Sequence, residues 1–182
     1  MSEELEVLML LTERLQGAGF NYMISGSMAT NYYSIPRMTR DIDVVIELED
    51  LNIEKFINLF EKDFYLDRQS LKSEVNRNGM FNLIHNAYAI KIDFILRKKT
   101  EFQSSTFNRK RQIQINDQAM WIMSPEDLCL MKMLWAKDSF SETQLNDVRG
   151  ILENVETLEQ KYIDDWVNKL GLQGVYRKIK HE

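Results

Sequence analysis

Cysteine and histidine are scarce in this sequence of 182 residues. The single cysteine, Cys129, cannot form an internal disulfide, and because it lies in an apolar, helix-like segment we expect it to pack as a small hydrophobic side chain. The only two histidines, His85 and His181, leave little material for a histidine-based zinc site or a catalytic triad. We expect His85 to be structural.

The sequence also lacks an uncharged apolar run long enough to span a bilayer. Its first residues, Met1-Ser2-Glu3-Glu4, are acidic, unlike a signal peptide, so we expect a cytoplasmic protein without a membrane partner. The net charge of -5 argues against general binding of polyanions. Two local exceptions are the basic clusters Arg97-Lys98-Lys99 and Arg109-Lys110-Arg111. We interpret each as a solvated surface, with polyanion contact as the alternative.

Hydrophobic residues make up 44% of the chain, enough for one ordinary core. Leucines at helical spacing predict a helix over residues 4–17, and Gly26-Ser27 opens a short helix that ends near Ser34. Asp50 is predicted to cap a further helix. The apolar positions of that helix are Leu51, Phe56, Leu59 and Phe60. Six short strands are predicted at Phe20–Ser25, Asp41–Leu48, Met80–His85, Tyr88–Leu96, Arg111–Ile115 and Ala119–Met123.

The pattern changes at Ser124-Pro125-Glu126-Asp127, because a serine followed by a first-turn proline and acidic residues is a typical helix start. Beyond it the sequence predicts helices and a short last piece, with the helices at Leu128–Ala136, Glu142–Asn154 and Leu158–Leu170. We therefore predict an α/β (α+β) fold with a small mixed sheet. Residues 1–123 would form its core, and residues 124–182 would form a helical region packed on that core.

Three aspartates are the most informative feature of the predicted strands. Asp41 and Asp43 are one residue apart, so a strand points both to the same face, where they repel each other unless a cation or proton intervenes. Asp93 lies in a second apolar run, and Lys91 shares its face. We expect the three carboxylates to line one cleft, close enough to share metal ions, with Lys91 neutralising them or touching a phosphate.

The Gly26-Ser27 pair lies upstream of these aspartates and opens a helix. Glycine lets the backbone approach a phosphate closely, and the helix presents free N–H groups and its positive end. Each motif alone has an ordinary explanation, since a strand with one solvated face also alternates and any loop can contain Gly-Ser. The order of these parts along the chain is more specific and indicates a site for magnesium and a nucleoside triphosphate.

Three motifs together resemble the nucleotidyltransferase superfamily, which has the fold of the catalytic domain of DNA polymerase beta. They are Gly26-Ser27, the run Arg37-Met38-Thr39-Arg40-Asp41-Ile42-Asp43, and Lys91-Ile92-Asp93. The Arg-x-Thr-x-Asp-x-Asp form is similar to the AbiEii-type branch, which includes toxin nucleotidyltransferases of bacterial toxin–antitoxin pairs. The resemblance covers roughly residues 20–150 and makes residues 1–123 the catalytic core.

That branch also carries a helical lysine and a later aspartate, to which Lys132 and Asp147 correspond here. In relatives this motif often reads Arg-Asp-x-x-Asp, whereas here Asn146 precedes Asp147 and Gly150 stands where the second acidic residue is expected, so this chain departs from the branch pattern. The resemblance implies that Asp41, Asp43 and Asp93 are catalytic metal ligands. The residues that would contact the nucleotide are Gly26, Ser27, Arg37, Arg40, Lys91, Lys132 and Asp147.

Bland alternatives stay open for several of these side chains. Lys132 could be a solvated lysine on an amphipathic helix, and Asp147 could be an exposed helical acid or could orient Lys132. Arg37 and Arg40 could bind phosphates or lie on a solvated turn. The three tryptophans could stack a base, although packing in the core or at an interface is the preferred interpretation. They are Trp121, Trp135 and Trp166.

The resemblance implies a magnesium-dependent nucleotidyltransferase that uses two Mg²⁺ ions and an NTP such as ATP as co-substrate. It would transfer NMP to an acceptor hydroxyl of RNA (a tRNA end, for example), a protein or a small molecule, and release pyrophosphate. The alternative is a catalytically inactive nucleotide-binding or toxin–antitoxin interaction module, with an antitoxin protein as partner. A third possibility is a structural domain whose aspartates face water.

Overall fold

A computed structural model describes residues 1–139 and 141–181. Phe140 and Glu182, which belong to the predicted helical region, lie outside the described residues, as does the side chain of His181. Seven strands of the described chain form one mixed sheet, and the fold class predicted from the sequence is confirmed. The strands are β1 (Tyr22–Ser25), β2 (Asp41–Ile46), β3 (Phe64–Leu66), β4 (Met80–His85), β5 (Lys91–Leu96), β6 (Arg111–Ile115) and β7 (Gln118–Ile122).

Nine α-helices occur in the same described residues. They are α1 (Glu3–Gly17), α2 (Gly26–Tyr33), α3 (Ile53–Phe60), α4 (Arg68–Arg77), α5 (Glu101–Asn108), α6 (Pro125–Ala136), α7 (Glu142–Asn154), α8 (Gln160–Leu170) and α9 (Gln173–His181). None of these helices combines the length and apolar character that a membrane crossing needs.

The chain divides into two compact units. The sheet unit comprises Met1–Met28 and Thr39–Ile122. The helical unit comprises Ala29–Met38 and the chain from Met123 onward. Ala29–Met38 was predicted to belong to the core, whereas in the structure this segment belongs with the C-terminal helices. That the helical region packs on the core stays a prediction.

The strand order in the sheet is β3-β4-β5-β2-β1-β7-β6. The pairs β2–β5 and β1–β7 are parallel, and the others are antiparallel. The side chains of Ile42, Val44 and Ile46 are fully buried on one face of β2. Phe56 of α3 packs against Phe94 of β5 on this face, with ring centroids 5.0 Å apart. Because strand side chains alternate, the opposite face of β2 and β5 carries the aspartates.

Three elements were not predicted: β3, α4 and α5. Strand β3 has only three residues, and α4 buries only Leu71 and Val75, so neither shows a clear periodic pattern. The predicted start of the helix at Asp50 was wrong. Asp50 begins a single 3₁₀ turn and makes no cap, and Leu51 is 94% exposed because α3 begins only at Ile53. The predicted apolar position at Leu51 is therefore corrected.

The predicted helix start at Ser124 is confirmed in the helical unit. The hydroxyl of Ser124 accepts a hydrogen bond from the backbone N–H of Asp127, and Pro125 is the first helical residue of α6. Cys129 is fully buried in this helix, and burial raises the pKa of its thiol. Its predicted role as a small core side chain is confirmed.

Candidate functional site

The three aspartates lie on neighbouring parallel strands that begin at the same edge of the sheet. Asp43 of β2 is directly opposite Asp93 of β5, and Asp41 is opposite Lys91. Neighbouring strands are about 4.8 Å apart, and residues in register point to the same face. Asp41, Asp43, Asp93 and Lys91 therefore share one face of the sheet.

Lys91 is the cation of this group. Its Nζ lies 2.8 Å from Oδ2 of Asp93. The hydrogen bond to Asp93 is the largest cause that raises the pKa of Lys91, and the negative charges of Asp93, Asp41 and Asp43 act in the same direction. All three carboxylates thus contribute to the potential at one ammonium group, which neutralises part of their repulsion.

Asp93 carries the most enclosed carboxylate of the three. The residue is 9% exposed, and while its Oδ2 accepts from Lys91, its buried Oδ1 has no hydrogen-bond partner among residues 1–139 and 141–181. A buried carboxylate oxygen normally has a partner, because an unsatisfied one costs about 1–3 kcal/mol. This oxygen is therefore the atom of the site best suited to accept a cation or a proton.

Gly26 stands at the turn from β1 into α2 and is packed against Asp43. Its φ of +58° lies in the left-handed region. A Cβ atom at this position would lie 1.8 Å from Oδ2 of Asp43. The missing side chain of Gly26 thus makes room for the Asp43 carboxylate, a role that the sequence analysis did not foresee. Ser27 follows in the first turn of α2 and is half-buried.

Gly26→Ala should disturb the site directly. We expect a loss of at least about 1–2 kcal/mol in the free energy of unfolding from the left-handed backbone alone, and displacement of Asp43 by the new methyl group. Thermal melting with and without Mg²⁺ measures both effects. Gly19→Ala is the matched control, because Gly19 also has a positive φ, +73°, but a Cβ there meets nothing within 4 Å. Wild-type melting and an unchanged response to Mg²⁺ would contradict this role of Gly26.

A second charged cluster lies in the helical unit. The guanidinium of Arg37 donates two hydrogen bonds to Asp147, Nε to Oδ1 and Nη2 to Oδ2, both 2.9 Å long. Nζ of Lys132 donates to Oδ2 of Asp147 at 2.7 Å and to Oε1 of Gln144 at 3.2 Å. Burial raises the pKa of Asp147, but the bonds from Arg37 and Lys132 outweigh this and hold it below its usual value. The hydrogen bond to Asp147 in turn raises the pKa of Arg37.

The open alternatives for Lys132 and Asp147 are settled by burial. Lys132 is 1% exposed and Asp147 is 6% exposed, so neither is a solvated helical side chain, and those two alternatives were wrong. Gln144, which accepts a hydrogen bond from Lys132, was not predicted from the sequence. Its position three residues before Asp147 on α7 was the available signal, because such residues share a helix face.

The backbone of Arg37 is also held in place, by the side chain of Asn31. The side chain of Asn31 donates to the carbonyl of Arg37 at 2.8 Å and accepts from its N–H at 3.0 Å. A Cβ at Gly150 of α7 would lie 2.2 Å from Oγ of Ser34. The missing side chain of Gly150 therefore makes room for Ser34.

The structure thus groups the predicted site residues into two sets. The sheet unit brings together Gly26, Asp43, Asp93, Lys91 and, at the same strand edge, Asp41. The helical unit joins Arg37, Lys132 and Asp147. Ser27 follows Gly26 along the chain, and Arg40 is an exposed residue directly before Asp41.

Only part of this arrangement resembles a preformed metal site. Within the described part of the chain, no three acidic, histidine or cysteine side chains are gathered tightly enough to hold a metal ion. The donor chemistry nevertheless fits a divalent cation, because hard carboxylate oxygens share one face and Oδ1 of Asp93 is buried without a partner among the described residues. Lys91 occupies the other oxygen of Asp93 and would have to move.

Comparisons with known proteins point to one fold. No protein-family model matches the chain, and neither does any curated protein. Among solved structures, an antigenic nucleotidyltransferase-like protein from Paracoccidioides brasiliensis is 18% identical, with a TM-score of 0.58, and the match covers 100% of this chain and 94% of that one. The antibiotic-resistance factor ANT(2'')-Ia is 10% identical with a TM-score of 0.60, covering 96% and 93%.

The lincosamide antibiotic adenylyltransferase LnuA, in its lincomycin-bound structure, is 15% identical with a TM-score of 0.54, and the match covers 85% of this chain and 98% of that one. Identities this low show the fold alone. The chain therefore has a nucleotidyltransferase-like fold. The AbiEii-type branch, named from the motifs, stays a prediction.

Proposed function

We propose that this chain is a magnesium-dependent nucleotidyltransferase, which transfers NMP from an NTP to an acceptor hydroxyl and releases pyrophosphate. The observation that carries the proposal is the register of β2 and β5. It places three aspartates on one face beside a glycine that opens a helix. The likeness of the fold to solved nucleotidyl- and adenylyltransferases supports the same activity.

Asp41, Asp43 and Asp93 would hold the magnesium, in the two-ion arrangement that the family resemblance implies. Bound magnesium supplies Lewis-acid polarisation of the α-phosphate and neutralises charge on the leaving pyrophosphate. The carboxylates supply hard oxygen ligands on rigid strands. When the Lys91 ammonium moves away from Asp93, it would be able to contact a phosphate oxygen of the nucleotide.

Ser27 and the N–H groups of the first turn of α2 would contact the β- or γ-phosphate, because a helix N-terminus favours anions. The oxygen of the acceptor hydroxyl then forms a bond to the α-phosphorus, and the bond from that phosphorus to the bridging oxygen of the β-phosphate breaks. Oδ1 of Asp93 would take the proton of the hydroxyl, since this oxygen is buried and without a partner among the described residues. Pyrophosphate leaves with the electron pair of the broken bond.

Arg37, Lys132 and Asp147 would support this site rather than perform the chemistry. Lys132 is 1% exposed and bound to Asp147, so contact with a triphosphate would require it to leave a buried ion pair. We propose that Asp147 orients Arg37 and Lys132, and that Arg37 contacts the nucleotide, as the family resemblance implies. Arg40, exposed directly before Asp41, is proposed as a second phosphate contact.

A small molecule is the acceptor class that the neighbours favour, because one of them is an adenylyltransferase of lincosamide antibiotics. RNA and protein stay candidate acceptors. The competing function is a nucleotide-binding or antitoxin-binding module that has lost turnover. Both functions predict metal-dependent binding of NTP, and only the enzyme transfers the nucleotide.

Transfer of label from α-labelled NTPs tests the proposal. Antibiotics, total RNA and total protein are offered as acceptors in separate reactions. We expect labelled product in at least one of these reactions with Mg²⁺, and in none of them with EDTA. Calorimetric titration with each of the four common NTPs gives the binding step. Metal-dependent binding of NTP without transfer to any acceptor would favour the inactive nucleotide-binding module. If no NTP binds, the remaining hypothesis is a structural domain whose aspartates face water.

Lys91→Gln should separate the roles of the ammonium and the metal. Without Mg²⁺ the variant lacks the ammonium group that partly neutralises the three carboxylates. We expect the free energy of unfolding to fall by about 1 kcal/mol, which lowers Tm by about 2–4 °C. With Mg²⁺ we expect a larger rise in Tm than in wild type, because Asp93 no longer has to exchange partners. Lys72→Gln, which removes an exposed ion pair with Glu54, is the control. A smaller Mg²⁺ response in Lys91→Gln would contradict the competition between the two cations.

A further inference from the structure

A polar groove lies in the sheet unit, away from the aspartates. It consists of two adjoining cavities of about 300 and 460 Å³, which share Asn21, Glu47 and Arg97 as lining residues. Lys99 lines the first cavity, and Lys110 and Trp121 line the second. We call this feature the basic groove, defined by Arg97, Lys99, Lys110 and Trp121.

The basic groove lies at the opposite end of the strands from the aspartates. Asp41 and Lys91 are the first residues of the parallel strands β2 and β5, whereas Glu47 and Arg97 directly follow their last residues. Asp41 is six residues, or about 20 Å, from Glu47, and Asp43 is four residues, or about 13 Å, from it. The groove is therefore a separate surface, and the proposed chemistry does not account for its residues.

The groove combines the two basic clusters noted in the sequence. Residues 97–111 contain six basic side chains and one acidic side chain, Glu101, in a chain whose net charge is -5. Helix α5 connects the clusters, and the fold brings Arg97 and Lys99 of the first and Lys110 of the second to adjoining cavities. Three basic side chains thus line the two cavities against two acidic ones, Glu47 and Glu49, which leaves one excess positive charge on a chain that is negative overall.

Lys110 is held between aromatic rings. Its Nζ lies 4.1 Å from the ring centroid of Phe107 and 5.4 Å from the ring of Trp121, and it donates a hydrogen bond to Asn21. Burial lowers the pKa of Lys110, and the positive charge of Arg97 acts in the same direction against the charge of Glu47. Its ammonium would consequently be stabilised by an added anion.

Arg97 is fixed in position before any ligand binds. Its Nε lies 2.6 Å from Oε1 of Glu47, and its Nη1 donates to Oγ of Ser104 at 3.1 Å. Asn21 donates to the other oxygen of Glu47 at 2.6 Å. Of the two acidic lining residues, Glu47 and Glu49, Glu47 is therefore already bound, and the guanidinium of Arg97 is preorganised for recognition of a further anion.

We propose that the basic groove binds the phosphodiester backbone of a single nucleic-acid strand, with one base stacked on the partly exposed Trp121. Grooves that combine positive charges with an aromatic side chain bind single strands in this way. The two cavities adjoin at Asn21, Glu47 and Arg97, and each has a second cation in its lining, Lys99 in one and Lys110 in the other. This binding needs neither metal nor NTP, and so it does not depend on the proposed transfer activity.

Fluorescence anisotropy with a short labelled oligouridylate and a matching oligothymidylate, both in EDTA, tests the proposal. We expect both strands to bind, with affinity falling as salt rises, because the backbone is recognised. The double variant Lys99→Gln/Lys110→Gln should bind about tenfold more weakly and lose about 0.7 from the salt slope for each lost contact. Trp121→Ala should also bind about tenfold more weakly through lost stacking.

The control is Lys62→Gln/Lys72→Gln, which removes the same charge from two exposed lysines of the sheet unit. It should bind like wild type, and Asp43→Asn should also bind like wild type even where it abolishes transfer. Thermal melting confirms that each variant is folded. Absence of binding by wild type, equal loss in the control variant, or competition by oligoglutamate as strong as by oligouridylate would each overturn the proposal.

Discussion

Asp43→Asn should abolish nucleotidyl transfer while leaving the protein folded. The substitution preserves shape beside Gly26 and removes one of three charges on the same sheet face. The metal ligand set would lose an oxygen anion, and electrostatic contributions of this kind are worth several kcal/mol, so we expect a loss of about 10³-fold or more in rate. Melting without metal should be unchanged or raised, since carboxylate repulsion is relieved.

The measurement compares thermal melting in EDTA with transfer of α-labelled nucleotide in Mg²⁺. Asp50→Asn serves as the control, because it makes the same chemical change at an exposed position of the sheet unit. Transfer at the wild-type rate in Asp43→Asn would show that Asp43 is not a metal ligand. The proposed mechanism would then be wrong, even if NTP still binds.

Asp147→Asn should strongly destabilise the helical unit. It leaves the ammonium of Lys132, which is 1% exposed, without an anionic partner. Removal of one partner of a buried ion pair costs about 3–5 kcal/mol, and we expect Tm to fall by about 10 °C. Asp165→Asn, an exposed acid of α8, should have no comparable effect.

A double-mutant cycle tests whether the loss comes from the pair. Lys132→Met/Asp147→Asn removes the buried charge as well as its partner, so the double variant should recover part of the stability lost in Asp147→Asn. Additive losses would contradict the coupling of Lys132 and Asp147.

Acid should reduce the contribution of Asp147 in the wild-type protein. Because the pKa of Asp147 is depressed in the folded state, its stabilising contribution is present above the ordinary carboxyl pKa and is lost as pH falls through the depressed value. The stability difference between wild type and Asp147→Asn should therefore shrink below about pH 4. A difference that grows on acidification would mean that Asp147 is not ionised in the folded state.

Much of the fold follows from local pattern in the sequence. Five of the six predicted strands match β1, β2, β4, β6 and β7 to within two residues at each end. The sixth, predicted from Tyr88, ends with β5 at Leu96, but β5 begins only at Lys91. The start of α6 at Ser124-Pro125 depends only on capping chemistry. Strand β3 and helix α4 escaped prediction because few of their residues are buried, so tertiary contacts rather than periodicity specify them.

The sequence alone determined that Asp41 and Asp43 point to one face, because a strand alternates with a period of two whatever surrounds it. Only the tertiary structure decided that Asp93 lies opposite Asp43, since register between strands distant in the chain depends on the sheet order. The tertiary structure likewise decided that Lys132 is buried together with Asp147. Helix periodicity left both residues open to a solvated role, and packing of the helical unit enclosed them.

Glycines show the same division. Gly26 was predicted from the sequence to permit a close approach of the backbone, and the structure identified the Asp43 carboxylate as the group that approaches it. The meeting of the two basic clusters at one groove could not be derived from their positions, because the intervening α5 was not recognised. Local chemistry is encoded by neighbours along the chain, whereas convergence of distant groups depends on which surfaces the folded chain can bury together.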